Sequence, residues 1–195
     1  MAKKKNLYVS FLWHMHQPFY RDMINGECSM PWVRLHATKD YYDMVAILDD
    51  HPKIKQTFNL VPSLLLQLEQ YLKENMSDCF LDMTRKPAKE LNDDDKIFLL
   101  NHFFMANEAN MIRPYPRYRQ LFAKRHNPKR WNTQDYLDLQ IWFNLTWFGY
   151  IYKTKDKTIK DLIAKGKDYA EGDKEKMIAK QWEIMAKVLE KYKEL

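Results

Sequence analysis

Glycine is scarce in this chain. Its 195 residues include 4 glycines, too few for a glycine-rich phosphate loop or for an all-β sandwich dense in tight turns. The two cysteines, Cys28 and Cys79, form neither a disulfide framework nor a metal quartet. No apolar run approaches the roughly 18 residues of a membrane span, so no membrane partner is expected. Met1-Ala2-Lys3-Lys4-Lys5 has the charge of a secretory leader. The apolar run behind it, however, is cut by His14 and carries no small-residue cleavage site. A cytoplasmic protein is expected. There is also no nucleophile elbow, Cys-x-x-Cys pair, EF-hand loop, internal repeat or low-complexity linker.

Core-forming residues are plentiful: 46% of the chain is hydrophobic and 14% aromatic. The net charge of +6 is modest, because 32 basic residues face 26 acidic ones. Part of the excess is local. Residues 113–130 hold Arg113, Arg117, Arg119, Lys124, Arg125, Lys129 and Arg130, interleaved with Tyr115, Tyr118 and Phe122, and no acid. Such a segment reads first as a solvated face with stacked arginines. Its second reading is a helical module that contacts nucleic acid.

Along the chain, residues 7–20 form a nearly unbroken apolar run that ends in His14, His16, Gln17 and Pro18. The run predicts a first strand buried on both faces, as in a parallel sheet, with Pro18 ending the ladder. A helix capped by Thr38 is expected next, with Tyr41, Met44, Val45 and Leu48 inward and His51-Pro52 as its end. Residues 54–61 predict a second strand. Pro62 then opens a helix with the stripe Leu64, Leu65, Leu68, Tyr71 and Leu72.

Strand, helix, strand, helix is the order of parallel βα units. Beyond residue 76 the pattern is helical. Asn92 caps one predicted helix, Asn132 another, and a shorter one lies around Tyr118 to Arg125. Residues 158–164 allow a helix, and the last, from about Lys174, carries Ile178, Trp182, Met185, Leu189 and Tyr192 as its stripe. The expected division is 1–75 as two βα units and 76–195 as a helical insertion. Two strands are too few for a stable sheet, so the catalytic domain is expected to continue past Leu195.

The polar cluster at the end of the first strand is the place for chemistry, since α/β folds put ligand sites at carboxyl strand ends. His14 and His16 are two apart and share a face if the strand persists. They could bind substrate hydroxyls, with Gln17 supplying a donor and an acceptor. They could instead be part of a zinc site of a metal-dependent hydrolase. That needs further ligands, and His36, His51, His102 and His126 form no second pair of metal spacing. Aromatic side chains flank the cluster. Trp13 is expected in the core, and Trp32, beside Pro31, is the best candidate sugar platform. Asp22, Glu27, Asp40 and Asp43 are the nearest carboxylates in sequence, none clearly aimed at the cluster.

The stretch Leu12-Trp13-His14-Met15-His16-Gln17-Pro18-Phe19-Tyr20 resembles the first motif region of glycoside hydrolase family 57. So do Pro31-Trp32-Val33-Arg34-Leu35-His36-Ala37-Thr38-Lys39-Asp40-Tyr41-Tyr42 and Thr57-Phe58-Asn59-Leu60-Val61-Pro62-Ser63-Leu64-Leu65. The segment Leu137-Asp138-Leu139-Gln140-Ile141-Trp142-Phe143-Asn144-Leu145 is similar to the family's amylase and amylopullulanase-like members. The resemblance implies the front of an incomplete (β/α)7 barrel that acts on α-glucans with retention. Retention needs a nucleophile and an acid/base roughly 5 Å apart. In the family these are a Glu and an Asp on later strands, whose motifs do not occur in this sequence, so no catalytic residue is assigned. What carries over is substrate binding by His16 and Gln17, and more weakly by His14 and Trp32. No metal and no cofactor is implied. The implied partners are an α-glucan and the remainder of the catalytic domain.

Overall fold

A computed structural model describes residues 7–194. Two short parallel strands, β1 (Leu12–Met15) and β2 (Thr57–Leu60), pair in the register Leu12 with Thr57 through Met15 with Leu60. Between them a helical stretch runs over residues 32–50. It comprises α1 (Trp32–His36), a π-helical turn (Ala37–Tyr41), α2 (Tyr42–Ala46) and a closing 3-10 turn. The helices that follow are α3 (Pro62–Lys73), α4 (Cys79–Arg85), α5 (Asp93–His102), α6 (Pro116–Lys124), α7 (Thr133–Thr146), α8 (Tyr150–Lys155), α9 (Lys157–Lys165) and α10 (Glu171–Lys193). The chain is thus α/β, with two parallel strands and a majority of helix.

Local chemistry accounts for most helix boundaries. Pro62 occupies the first turn of α3, where its missing N–H costs nothing. Asn92 and Asn132 each accept a bond from the third helical N–H of α5 and α7. Asp95 and Asp135 return the bond to the cap residue's own N–H, closing both capping boxes. Gly166 ends α9 in the left-handed region at φ 73°, a conformation glycine adopts without a Cβ penalty.

The two strands are shorter and barer than their sequences suggest. Paired residues of adjacent strands lie on the same face. Met15, Phe58 and Leu60 accordingly join the apolar cluster formed with Val33, Leu64, Leu68, Tyr71, Met185 and Val188. Each fully buried leucine there contributes about 1.5–3 kcal/mol. Leu12, His14, Thr57 and Asn59, on the opposite face, are all exposed. The expectation of a strand buried on both faces is therefore corrected: helices cover one face, and nothing among the described residues covers the other. Trp13, expected in the core, is 41% exposed and lies outside the apolar cluster that its partner Phe58 joins. Its indole N–H reaches the Gln56 side chain instead.

A second and larger cluster surrounds α7, in which every residue from Asp135 to Thr146 is buried. Phe80, Phe103 and Tyr118 pack around it, the last against its Trp142. The long helix α10 joins the two clusters, giving Met177 and Ile184 to one and Met185 and Val188 to the other. Its inward line is rotated from the predicted stripe. Gln181 is fully buried, while Trp182, Leu189 and Tyr192 are only partly so.

Candidate functional site

The chain leaves β1 at Met15, and the next five residues are pinned onto the start of α3. Ser63 Oγ donates to the Gln17 carbonyl at 2.7 Å, Gln67 Nε2 donates to the Pro18 carbonyl at 2.8 Å, and Tyr20 N–H donates to Gln67 Oε1 at 2.9 Å. The ladder ends at Met15, three residues before Pro18, and these bonds take its place. His14 and His16 consequently keep strand alternation. Their rings stack in parallel, with centroids 5.7 Å apart and planes 6° apart, and both side chains are exposed on the helix-free face.

Gln17 points the other way and is buried. Its Nε2 donates to Tyr41 Oη at 2.7 Å, and its Oε1 accepts from Tyr20 Oη at 2.9 Å. Tyr41 Oη in turn donates to the His16 carbonyl at 3.1 Å. Gln17 therefore holds the backbone beneath His16 rather than standing open to solvent. Burial raises the pKa of both phenols above their ordinary range, with Cys28 adding to the effect at Tyr20. At Tyr41 the Gln17 bond opposes it, while Asp40 and Tyr20 add to it. Both hydroxyls stay protonated and can donate.

Tyr41 comes from the π-helical turn, which is tied to a distant part of the chain. The Thr38 carbonyl accepts from the distant Gly149 N–H at 3.0 Å, and Thr38 Oγ1 donates to the Leu35 carbonyl at 3.0 Å. Thr38 is buried mid-helix and is not the predicted cap. The helix starts at Trp32, six residues earlier. The turn brings His36 Nδ1 to 2.6 Å from Asp40 Oδ2, while Lys39 Nζ donates to Asp40 Oδ1 at 2.6 Å. Burial alone would raise the Asp40 pKa. The bonds from His36 and Lys39 outweigh it and hold the carboxyl below its usual range.

Trp32 is half-buried. Its ring centroid lies 6.2 Å from that of His36 and 5.6 Å from that of Trp147. The His36 ring meets Trp147 edge-on at 5.2 Å and Tyr41 at 6.0 Å. His14, His16 and Trp32 are thus the partly or fully exposed members of the predicted set, and Gln17 supports them from below. Tyr41, His36, Asp40 and Trp147 carry no separate sequence signal. Tyr41 reads as core, and the other three gather only through the contact of the π turn with the end of α7.

The remaining carboxylates near β1 in sequence have local partners. Asp22 accepts from the Ile24 N–H and Glu27 from Asn25 Nδ2. Asp43 accepts from the Ile151 N–H at the start of α8. No group of three or more His, Cys, Asp or Glu side chains able to hold a metal ion exists among the described residues. In the basic segment, Arg117 pairs with Asp135 and Asp138, Lys124 with Asp135, and Arg113 with Glu108, while Arg125 stacks on Phe122. Among the described residues, no helix is long and apolar enough to cross a membrane.

His14, His16 and the rings around Trp32 stand at the carboxyl end of a parallel strand, the end at which α/β folds place their ligands. The family model for glycosyl hydrolase family 57 matches residues 10–183, most of the chain. The protein belongs to that family of glycoside hydrolases and transglycosylases, and its substrate is a carbohydrate. Neither the comparison with curated proteins nor that with solved structures gives a match.

Proposed function

We propose that this chain is the N-terminal part of a retaining α-glucan hydrolase or transglycosylase, residues 1–75 supplying two βα units of an incomplete (β/α)7 barrel and residues 76–195 a helical insertion. The observation that carries this reading is the position of His14 and His16. They lie on the sheet face turned away from the helices, next to exposed Thr57 and Asn59. In a closed βα barrel the helices lie outside and that face becomes the lumen and its mouth. Parallel strands are buried on both sides, so further strands beside β1 and β2 are what this bare face requires.

In this reading His16 contacts sugar hydroxyls at the mouth of the barrel, His14 lies one step deeper, and Trp32 offers an apolar ring to a pyranose face. Gln17 acts through Tyr41 by fixing the backbone of His16. The nucleophile and the acid/base come from later strands, whose motifs this sequence lacks. The test is a calorimetric titration of the 195-residue chain with maltoheptaose, beside a reducing-sugar assay on starch. We expect weak binding that His16→Ala reduces, and no sugar release. Binding that ignores His16→Ala would overturn the site, and sugar release by the pure chain would overturn the missing carboxylates.

A further inference from the structure

We infer that His36, with its tautomer set by Asp40, is a second sugar-contacting histidine of the same wall, its Nε2 bonding a substrate hydroxyl beside Trp32. The inference rests on the proposed α-glucan reading and adds a residue that the strand-end motif does not contain.

Three observations meet at this position. The first is the 2.6 Å contact between His36 Nδ1 and Asp40 Oδ2. Asp40 is ionised and accepts, so the ring hydrogen sits on Nδ1. Nε2 is then the ring's free polar atom, and it has no protein partner among the described residues. The His36 side chain is 31% exposed, so a ligand can reach it. A histidine whose one nitrogen is fixed by a carboxylate presents the other in a defined state.

The second is the company the ring keeps. Trp32 and Trp147 lie at 6.2 and 5.2 Å and Tyr41 at 6.0 Å. Trp147 Nε1 is buried with no hydrogen-bond partner, although buried indole donors normally have one. Tyr41 is the residue that holds the His16 carbonyl, so His36 stands one aromatic ring away from the strand end.

The third is the π-helical turn itself. Such turns cost regular hydrogen bonding and cluster at functional sites. Asp40 lies in this turn, four residues after His36, and the turn's Thr38 carbonyl is held by Gly149. The charges also fit a sugar better than an anion. Lys39 is neutralised by Asp40 at 2.6 Å, leaving a polar but locally balanced patch between aromatic faces.

The test is nitrogen-detected NMR of the histidine side chains in the 195-residue chain, with calorimetry on His36→Ala, His36→Gln, Asp40→Asn and His16→Ala, each checked for folding by thermal melt. In the free chain His36 should show the Nδ1–H tautomer. Maltoheptaose should shift its Nε2 resonance. His36→Ala should weaken binding roughly ten-fold, the loss of about one good hydrogen bond. His36→Gln, which keeps a polar end, should recover part of it. Asp40→Asn should alter the tautomer and weaken binding while the fold stays intact. An unshifted Nε2, or full affinity in folded His36→Ala while His16→Ala loses it, would overturn this inference and leave the α-glucan reading standing. Absence of binding by the unaltered chain would overturn both.

Discussion

Arg34 donates from Nε and Nη2 to the two carboxylate oxygens of Asp78, at 2.9 and 3.2 Å, and both side chains are completely buried. The pair is surrounded by partners. Arg34 Nη1 donates to Asn144 Oδ1 and Gln181 Oε1 at 2.9 and 3.0 Å, and Tyr71 Oη donates to Asp78 Oδ2 at 2.8 Å. Burial first, and the Asp78 charge second, push the Tyr71 phenol well up, so it remains a donor. Four helices and the start of α4 are fastened at one point beneath the site. Removing one charge strands the other in the interior, which typically costs about 3–5 kcal/mol. Arg34→Met and Asp78→Asn should each lower stability by about that amount. Urea unfolding checks it: a change under about 1 kcal/mol in either variant would show that the pair tolerates loss of a partner.

Gly149 is required for a different reason. Its φ of −72° suits any residue, but a Cβ there would meet the Asp43 carboxyl atoms at 2.4 to 2.5 Å. Asp43 caps α8 from another helix, and burial raises its pKa against the pull of the Ile151 and Tyr150 N–H groups. Gly149→Ala should therefore destabilise the chain by about 1–3 kcal/mol through overpacking. Asp43→Ala opens the space, so the double variant should lose less than the sum of the two single losses. Strict additivity in denaturant melts would rule out the clash as the cause.

The parts of this fold set by neighbouring residues are legible in the sequence. Asn92, Asn132, Pro62 and Gly166 mark helix ends because caps act within one turn. The strand-end cluster is legible because period-two alternation puts His14 and His16 on one face, although pairing stops at Met15 and not at Pro18 as expected. What the sequence hides depends on distant partners. Thr38 resembles a cap, yet its carbonyl is taken by Gly149, far along the chain. Gln181 and Lys174 look like solvent positions on α10. They are buried because Arg34 and Asn144 meet Gln181, and because the Lys86 carbonyl and Gln140 meet Lys174. Satisfied polar groups can enter a core, and this turns the inward line of α10 away from its apolar stripe. Tyr41 and His36 belong to the site for the same reason: the contact that recruits them spans two elements.

Lys153 lies where α8 packs near this wall, and its charge makes stability depend on pH. Its Nζ donates to the Thr146 carbonyl at 2.8 Å and lies 5.6 Å from the Tyr115 ring. Burial first, and Lys39 second, pull its pKa from 10.5 down to about 8, against an opposing pull from Asp43. In the unfolded chain the same amine titrates near its ordinary value, about 10.4. Between about pH 8 and 10.4 the unfolded state thus binds more protons at this residue, and stability rises with pH. Below pH 8 the cost of the buried charge is present in full. Lys153→Met removes that cost but also the bond to Thr146, worth about 1 kcal/mol. The shift corresponds to about 3 kcal/mol, so at pH 7 the variant should be more stable than the parent by about 2 kcal/mol, and at pH 10.5 less stable. Urea midpoints of both proteins at the two pH values measure the crossing, and parallel pH dependence in parent and variant would show that Lys153 is not its source.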